Sequence, residues 1–305
     1  MIVDNTELSD TKGRAPWRTV ATRYFRHRGA QVGLFLLFAW VMIAVFAPLI
    51  APYEPNELVS RSRQPPSDMH WLGTDQLGRD MLSRVIYGAR ISLVLGFVSV
   101  FFGLVPGVTI GLLAGYFGGR VDAVLSRIVD AMLAFPSIIL ALIIIATLGP
   151  GILNVMIAVG ISSVPGFARL TRGSVLSARA QPYVEAAVLV GNPARRIMTR
   201  HILPNTSGPL IVFATLQVGD AILVGAGLSF LGLGAQPPTS EWGLMSSEGR
   251  SLLGRAWWIS TFPGLAILTV VVAFNLVGDG LRDALDPKVL DRNDPVKHNN
   301  KFKTK

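Results

Sequence analysis

ISLVLGFVSVFFGLVPGVTIGLLAGYF, residues 91–117, runs for 27 residues without a charged side chain. As an α-helix it would be about 40 Å long at roughly 1.5 Å per residue, more than the ~30 Å hydrocarbon core of a bilayer. Within it, Gly103, Gly107, Gly111 and Gly115 recur every fourth residue. That spacing lays them along one helix face as a groove. In lipid, apolar burial does not drive helices together, and such a groove favours close backbone packing against a neighbour. The stretch reads as a membrane span buried in a bundle.

Working outward, five further apolar stretches have spanning length: Ala30 to Ile50, Ile128 to Leu148, Ile152 to Leu170, Pro209 to Leu231 and Trp257 to Val277. Backbone polar groups in hydrocarbon must be satisfied within the segment, so the expected fold is an all-α integral membrane protein with six transmembrane helices. Composition agrees: the 305 residues are 50% hydrophobic and only 15% charged, where a soluble domain carries roughly a quarter. The absence of cysteine excludes a disulfide scaffold, a thiolate zinc site and a cysteine nucleophile. Four scattered histidines leave little for a metal site, and none is expected.

The net charge of +9 has a topological explanation. Of the 28 Lys and Arg, 21 lie before the first span, in or beside the second and fourth connections, or in the tail; the other seven are Arg61, Arg63, Arg79, Arg84, Arg90, Arg250 and Arg255. Basic residues gather on the cytoplasmic side, which places both termini there and removes the need for a nucleic-acid surface. The expected organisation is then a basic arm (1–29), an anchoring span (30–50), an outer segment (51–90), a five-helix core (91–278) enclosing a cytoplasmic loop (170–207), and a cytoplasmic tail (279–305). In the arm, Trp17, Val20 and Tyr24 recur at helical spacing, which suits a short helix on the inner membrane surface. The first apolar run is too long for a cleavable signal and lacks a clean cleavage site, so it is expected to remain. The outer segment is proline-rich at first (Pro48, Pro52, Pro55, Pro65, Pro66) and helical in pattern from Arg79 to Ala89. There Asp80 and Arg84 are spaced for an i,i+4 ion pair, and the segment reads as a lid or brace.

The loop after Leu170 is the most informative stretch. Pro182 suits the first turn of a helix, and Glu185 lies early enough to favour the positive end of its dipole. Gly191 is placed to end that helix in the left-handed conformation, Asn192 to cap the next, and Pro193 to start it. Ala186 and Ala187 would form a small-residue face on which a partner could sit. Catalytic signatures are missing. None of the six lysines (Lys12, Lys288, Lys297, Lys301, Lys303, Lys305) ends a glycine-rich phosphate loop, and no nucleophile elbow, zinc-protease motif or carboxylate pair occurs, so the chain is not expected to be an enzyme.

Glu185-Ala186-Ala187, three residues, Gly191 and then Leu203-Pro204 resembles the EAA loop of permease subunits of bacterial ABC importers. The His201-Ile202-Leu203-Pro204-Asn205 form is similar to the dipeptide/oligopeptide/nickel branch. So are Leu72-Gly73-Thr74-Asp75, Gly78-Arg79-Asp80, Leu228-Ser229-Phe230-Leu231-Gly232, Glu241-Trp242-Gly243 and Gly278-Asp279-Gly280. The resemblance runs to about Pro287 and implies a type I (MetI-like) permease core in the bacterial inner membrane. It further implies that the loop docks on a separate ATPase, with Glu185 anchoring a contact and Gly191 holding the turn. The partners it implies are a paralogous permease, two ATP-binding subunits or one fused ATPase that hold ATP and Mg, and an extracytoplasmic solute-binding protein. Short peptides are the implied substrates, with nickel complexes, glutathione or another small solute as alternatives. The family often has an acidic residue where Gly225 stands, a tryptophan at Val164 and an isoleucine at His201.

The acid in this helix is Asp220. A carboxylate inside a membrane span faces a cavity or a polar partner, so Asp220 would contact the cationic amine of a peptide or pair with a residue of another subunit. An ion-coupled secondary transporter using Asp220 is the competing class. It requires inverted repeats with paired broken helices, and no clear repeat is visible.

Overall fold

A computed structural model describes residues 21, 22, 24, 25 and 27–285. Trp17, Val20 and the tail beyond Leu285 lie outside the described residues. The chain forms α1 (Arg28–Val45), α2 (Met81–Phe117), α3 (Gly119–Leu133), α4 (Ser137–Leu148), α5 (Ile152–Arg179), α6 (Pro182–Leu189), α7 (Leu203–Phe230), α8 (Trp242–Gly249) and α9 (Trp258–Leu285). Five of these (α1, α2, α5, α7 with its preceding turns, and α9) are long and apolar enough to cross a membrane, and α3 with α4 makes a sixth if counted as one bent span.

The bent pair departs from the continuous span expected over 128–148. α3 and α4 meet at 92° across Ala134-Phe135-Pro136. Pro136 has no N–H to give and disfavours helical geometry at Phe135, which favours a break here, although Pro106, Pro165, Pro209 and Pro263 are accommodated inside continuous helices. Among the described residues this is the one such break, whereas the secondary-transporter architecture uses broken helices in pairs.

α2, α5, α7 and α9 run beyond their apolar stretches, whereas α1 stops at Val45. α2 begins at Met81, so the helix expected at Arg79–Ala89 is the first part of the second span, capped by the Asp80 carboxylate accepting from Ser83 N. α5 and α7 continue to the 180–202 loop. This loop end also carries Tyr24 and the start of α1: Tyr24 is buried against Ala30, Val277 and Ala284 rather than lying on a membrane surface, and His27 stands 3.6 Å from Asp283 at the foot of α9. The opposite, distal end is built from residues 51–80 and 231–257.

α2 and α5 form the most extensive helix pair. The glycine strip of α2 faces α5 along its length. A Cβ at Gly107 would stand 2.5 Å from Phe167 Cβ, and one at Gly115 2.9 Å from Val175 Cβ. Gly103 meets Ser163 and Gly111 meets Ala168 and Thr171. The main core gathers on this seam and on the distal lobe, with Leu95, Phe167, Ile222, Trp242, Met245 and Ile259 all buried.

Candidate functional site

The loop between α5 and α7 is held out from the bundle on a small core of its own. Gln181 is extended, Pro182 starts α6, and Glu185 lies exposed in the first turn. Val184 and Ala187 turn inward onto Val175 at the foot of α5 and onto Ile197 and Ile202. The inward turn of Ala187 corrects the expected small-residue face, because only Ala186 is exposed. Helical spacing puts residues 184 and 187 on the same side, and the larger Val184 dictates which side is buried.

α6 ends in a Schellman turn. Gly191 has φ +81°, its N–H donates to Val188 O at 2.9 Å, and Asn192 N–H donates to Ala187 O at 3.2 Å. A positive φ of this kind costs a Cβ-bearing residue strain, which accounts for glycine. Asn192 does not cap the next helix as expected. Its Nδ2 also donates to Ala187 O at 3.1 Å, so it closes α6, while Pro193 is the N-cap of the short turn Ala194–Arg196.

Chain 197–202 then widens into π-helical turns before α7. Pro204, exposed in the first turn of α7 with half-buried Leu203 before it, has no N–H to give to the Arg200 carbonyl. The outward surface of the loop is unexpectedly apolar. Leu189 is 85% exposed and Val190 82% exposed, flanked by exposed Tyr183 and Val188. Beside them Arg195, Arg196 and Arg200 line an open basic groove.

Near the loop, Arg172 of α5 holds Asp122 of α3 with two hydrogen bonds of 2.5 and 2.6 Å, and Arg169 reaches Asp130 at 3.0 Å. These pairs fix the polar first part of the bent span to α5. At the distal end the expected Asp80–Arg84 pair is absent. Asp80 accepts from Ser83 and meets His70 Nδ1 at 3.0 Å. Arg84, fully buried, lies 3.5 Å from both Asp75 and Glu248, and Arg79 closes on Asp75 at 2.5 Å. The spacing was correct for a helix pair, but Asp80 is occupied as the N-cap of α2 and faces away. Trp258 Nε1 donates to Thr74 O and Trp242 Nε1 to Val85 O, each at 3.0 Å. Glu241 caps α8 by accepting from Gly243 and Leu244 N–H at 2.9 and 2.8 Å. Burial nevertheless pushes its carboxyl above the ordinary glutamate value, and burial does the same to Glu248 against the pull of Arg84 and Arg79.

Asp220, exposed on α7, opens onto a cavity of about 210 Å³ shared with Gln217 on α7, Ser162 and Ser163 on α5, and exposed Leu133 and Ser137 on either side of the α3–α4 break. No hydrogen bond or ion pair joins Asp220 to another described residue. Gln217 and the two α5 serines carried no signal in the sequence beyond being polar residues among apolar ones.

Comparison with known proteins assigns this architecture. A family model described as binding-protein-dependent transport system inner membrane component matches residues 107–291. The chain belongs to that family. It is a membrane permease subunit, not a catalytic one, and a multi-pass protein of the bacterial inner membrane. A second model, the N-terminal transmembrane domain of oligopeptide transport permease C, matches residues 15–66. The permease is 49% identical to a dipeptide transport system permease protein of Alkalihalophilus pseudofirmus, over 90% of this chain and 91% of that one. It is 47% identical to a di/tripeptide permease of Pseudomonas aeruginosa (90% and 93% covered), and 46% identical to a glutathione permease of Pectobacterium atrosepticum (92% and 94%). Its fold matches the inward-facing MetNI methionine ABC transporter with a TM-score of 0.57 at 21% identity, over 68% of this chain and 98% of that one.

Proposed function

We propose that this permease is one membrane subunit of an ATP-driven importer of short peptides, with the 180–202 loop and both termini in the cytoplasm, and that the loop docks on a separate ATPase. The observation that carries the docking is the exposed, uncharged tip of Leu189 and Val190. A folded loop that presents two large apolar residues beside an exposed glutamate is a surface for a partner. Glu185 anchors the contact, Ala186 permits close approach, and Gly191 fixes the angle of the tip. Because Ala187 and Val184 pack on the foot of α5 and the loop continues through Leu203-Pro204 into α7, a displacement of the tip is delivered to both helices. The α2–α5 glycine seam at Gly103, Gly107, Gly111 and Gly115 carries α2 with α5 as one body.

The cytoplasmic placement of the loop rests on the 21 to 7 division of Lys and Arg. A second, paralogous permease completes the pathway, ATP and Mg are held by two ATP-binding subunits or one fused ATPase, and an extracytoplasmic solute-binding protein delivers the substrate. Peptides as substrates rest on the relatives named for dipeptide and di/tripeptide transport; the relative named for glutathione supports glutathione as a second reading.

The test is Leu189→Glu in the native host. Membrane insertion stays normal, while co-purification of the ATPase and uptake of alanyl-alanine both fall at least tenfold. Full ATPase recovery with this variant would overturn the docking assignment.

A further inference from the structure

We infer that the cavity at Asp220 is a subsite for a positively charged amine of the transported solute, an inference that rests on the peptide-importer reading above. Asp220 lies ten residues from the distal end of α7, about 15 Å along the helix and so near the middle of a ~30 Å hydrocarbon layer. A carboxylate at that depth needs a counter-charge or a wet cavity. The chain supplies the cavity and no cation: none of the residues around it is basic.

The two α5 serines beside Asp220 offer it no donor. Ser162 Oγ donates to Val159 O and Ser163 Oγ to Gly160 O, each at 2.8 Å. Their hydrogens are thereby committed to the backbone, so neither serine donates to the Asp220 carboxylate. An ammonium group, with three donors and no acceptor, is the complement of that surface.

A second observation points the same way. The α3–α4 break flanks this cavity, with Leu133 and Ser137 in its wall. Non-helical backbone at membrane depth is tolerated where it is buried in protein or lines a polar cavity, so the bent span and the open carboxylate mark one place. Size limits what enters. A site that encloses a whole small molecule usually measures roughly 300–1,000 Å³, and this one is about 210 Å³. It takes one end of a peptide, the amino terminus, while the rest stays in the wider pathway.

The experiment uses the whole importer purified from its own host and placed in nanodiscs without the solute-binding protein. Carboxyl groups are labelled with a hydrophobic carbodiimide in the presence of millimolar alanyl-alanine or N-acetyl-alanyl-alanine, and mass spectrometry sums every adduct of each carboxyl, the N-acylurea and the alanyl-alanine amide alike. The expected result is that the free-amine peptide slows labelling of Asp220 at least threefold and the blocked peptide does not. Alongside it, Asp220→Asn lowers alanyl-alanine uptake by cells about tenfold, with ATPase co-purification unchanged. Equal labelling under both peptides overturns the subsite. An Asp220 that never reacts in the complex also overturns it, by showing a fixed pair with another subunit. Wild-type cells that take up no peptide would instead overturn the importer reading, and the subsite with it.

Discussion

The two ends of the permease bury opposite things. At the distal end, charged groups are inside: Arg84 is fully buried, Asp75 and Glu241 nearly so, and each meets its counter-charge or hydrogen-bond donors within the chain. At the loop end, apolar groups are outside, with Leu189 and Val190 over four-fifths exposed on a scaffold of buried Val184, Ala187 and Ile197. The distal lobe keeps its charged groups in internal contacts that tie α2, α8 and α9 together, while Met69 and Trp71 lie exposed on its outer surface. The loop is ordered but its outer surface has nothing to cover it within the chain. Under the proposed docking, the buried charge contacts would serve as the frame and the exposed apolar tip as the contact with the ATPase.

Arg84→Ala is the largest test of that contrast. It leaves Asp75 and Glu248 with Arg79 alone as their cation, and removing one partner of a buried charge pair costs up to about 3–5 kcal/mol. The expected outcome is a strongly lowered unfolding midpoint in detergent, followed by tryptophan fluorescence from Trp242 and Trp258 in the same lobe. Leu189→Glu is its mirror image. Exposed substitutions usually change stability by less than about 0.5 kcal/mol, so its unfolding midpoint stays at the wild-type value while ATPase binding is lost. If the two variants exchanged these outcomes, the division into frame and docking tip would be wrong.

Gly191→Ala comes next. A Cβ in the left-handed region costs roughly 1–2 kcal/mol, and nothing stands within 4 Å of the position to clash with it. The strain therefore acts through the turn alone. Coupled ATP hydrolysis and uptake are expected to fall several-fold while the global unfolding midpoint hardly moves.

How far these features were legible in the sequence depended on how local their causes are. The 91–117 run and its four glycines announce a span with a groove, because both hydropathy and i,i+4 spacing are properties of neighbours. The turn at Gly191 is local in the same way. The break at Ala134-Phe135-Pro136 is flanked by apolar residues on both sides, so a hydropathy reading passes straight through it. Arg84 was assigned to Asp80 because helical spacing offers that pair, whereas its partners are Asp75, in the loop before the helix, and Glu248, 164 residues away. Asp220 could be singled out as a charge in a span, but its neighbours Ser162, Ser163 and Gln217 could not, since helices that are apolar all round do not reveal which face meets which.

The smallest effect concerns pH and the distal end. Burial raises the Glu241 carboxyl even though it accepts two backbone hydrogen bonds, and Glu248 is raised in the same direction. An acid raised in the folded state binds its proton more tightly there than in the unfolded chain. Its contribution to stability is thus complete below the ordinary glutamate value and is lost as pH rises through the raised value. The distal lobe should be more resistant to unfolding in mild acid than at neutral pH. Glu241→Gln keeps an acceptor for Gly243 or Leu244 and removes the titration, so its unfolding midpoint should depend less on pH than that of wild type. Parallel profiles for wild type and Glu241→Gln would show that the Glu241 charge is accommodated at no cost, and the distal frame would then owe its rigidity to Trp242, Trp258 and their backbone bonds rather than to its buried acids.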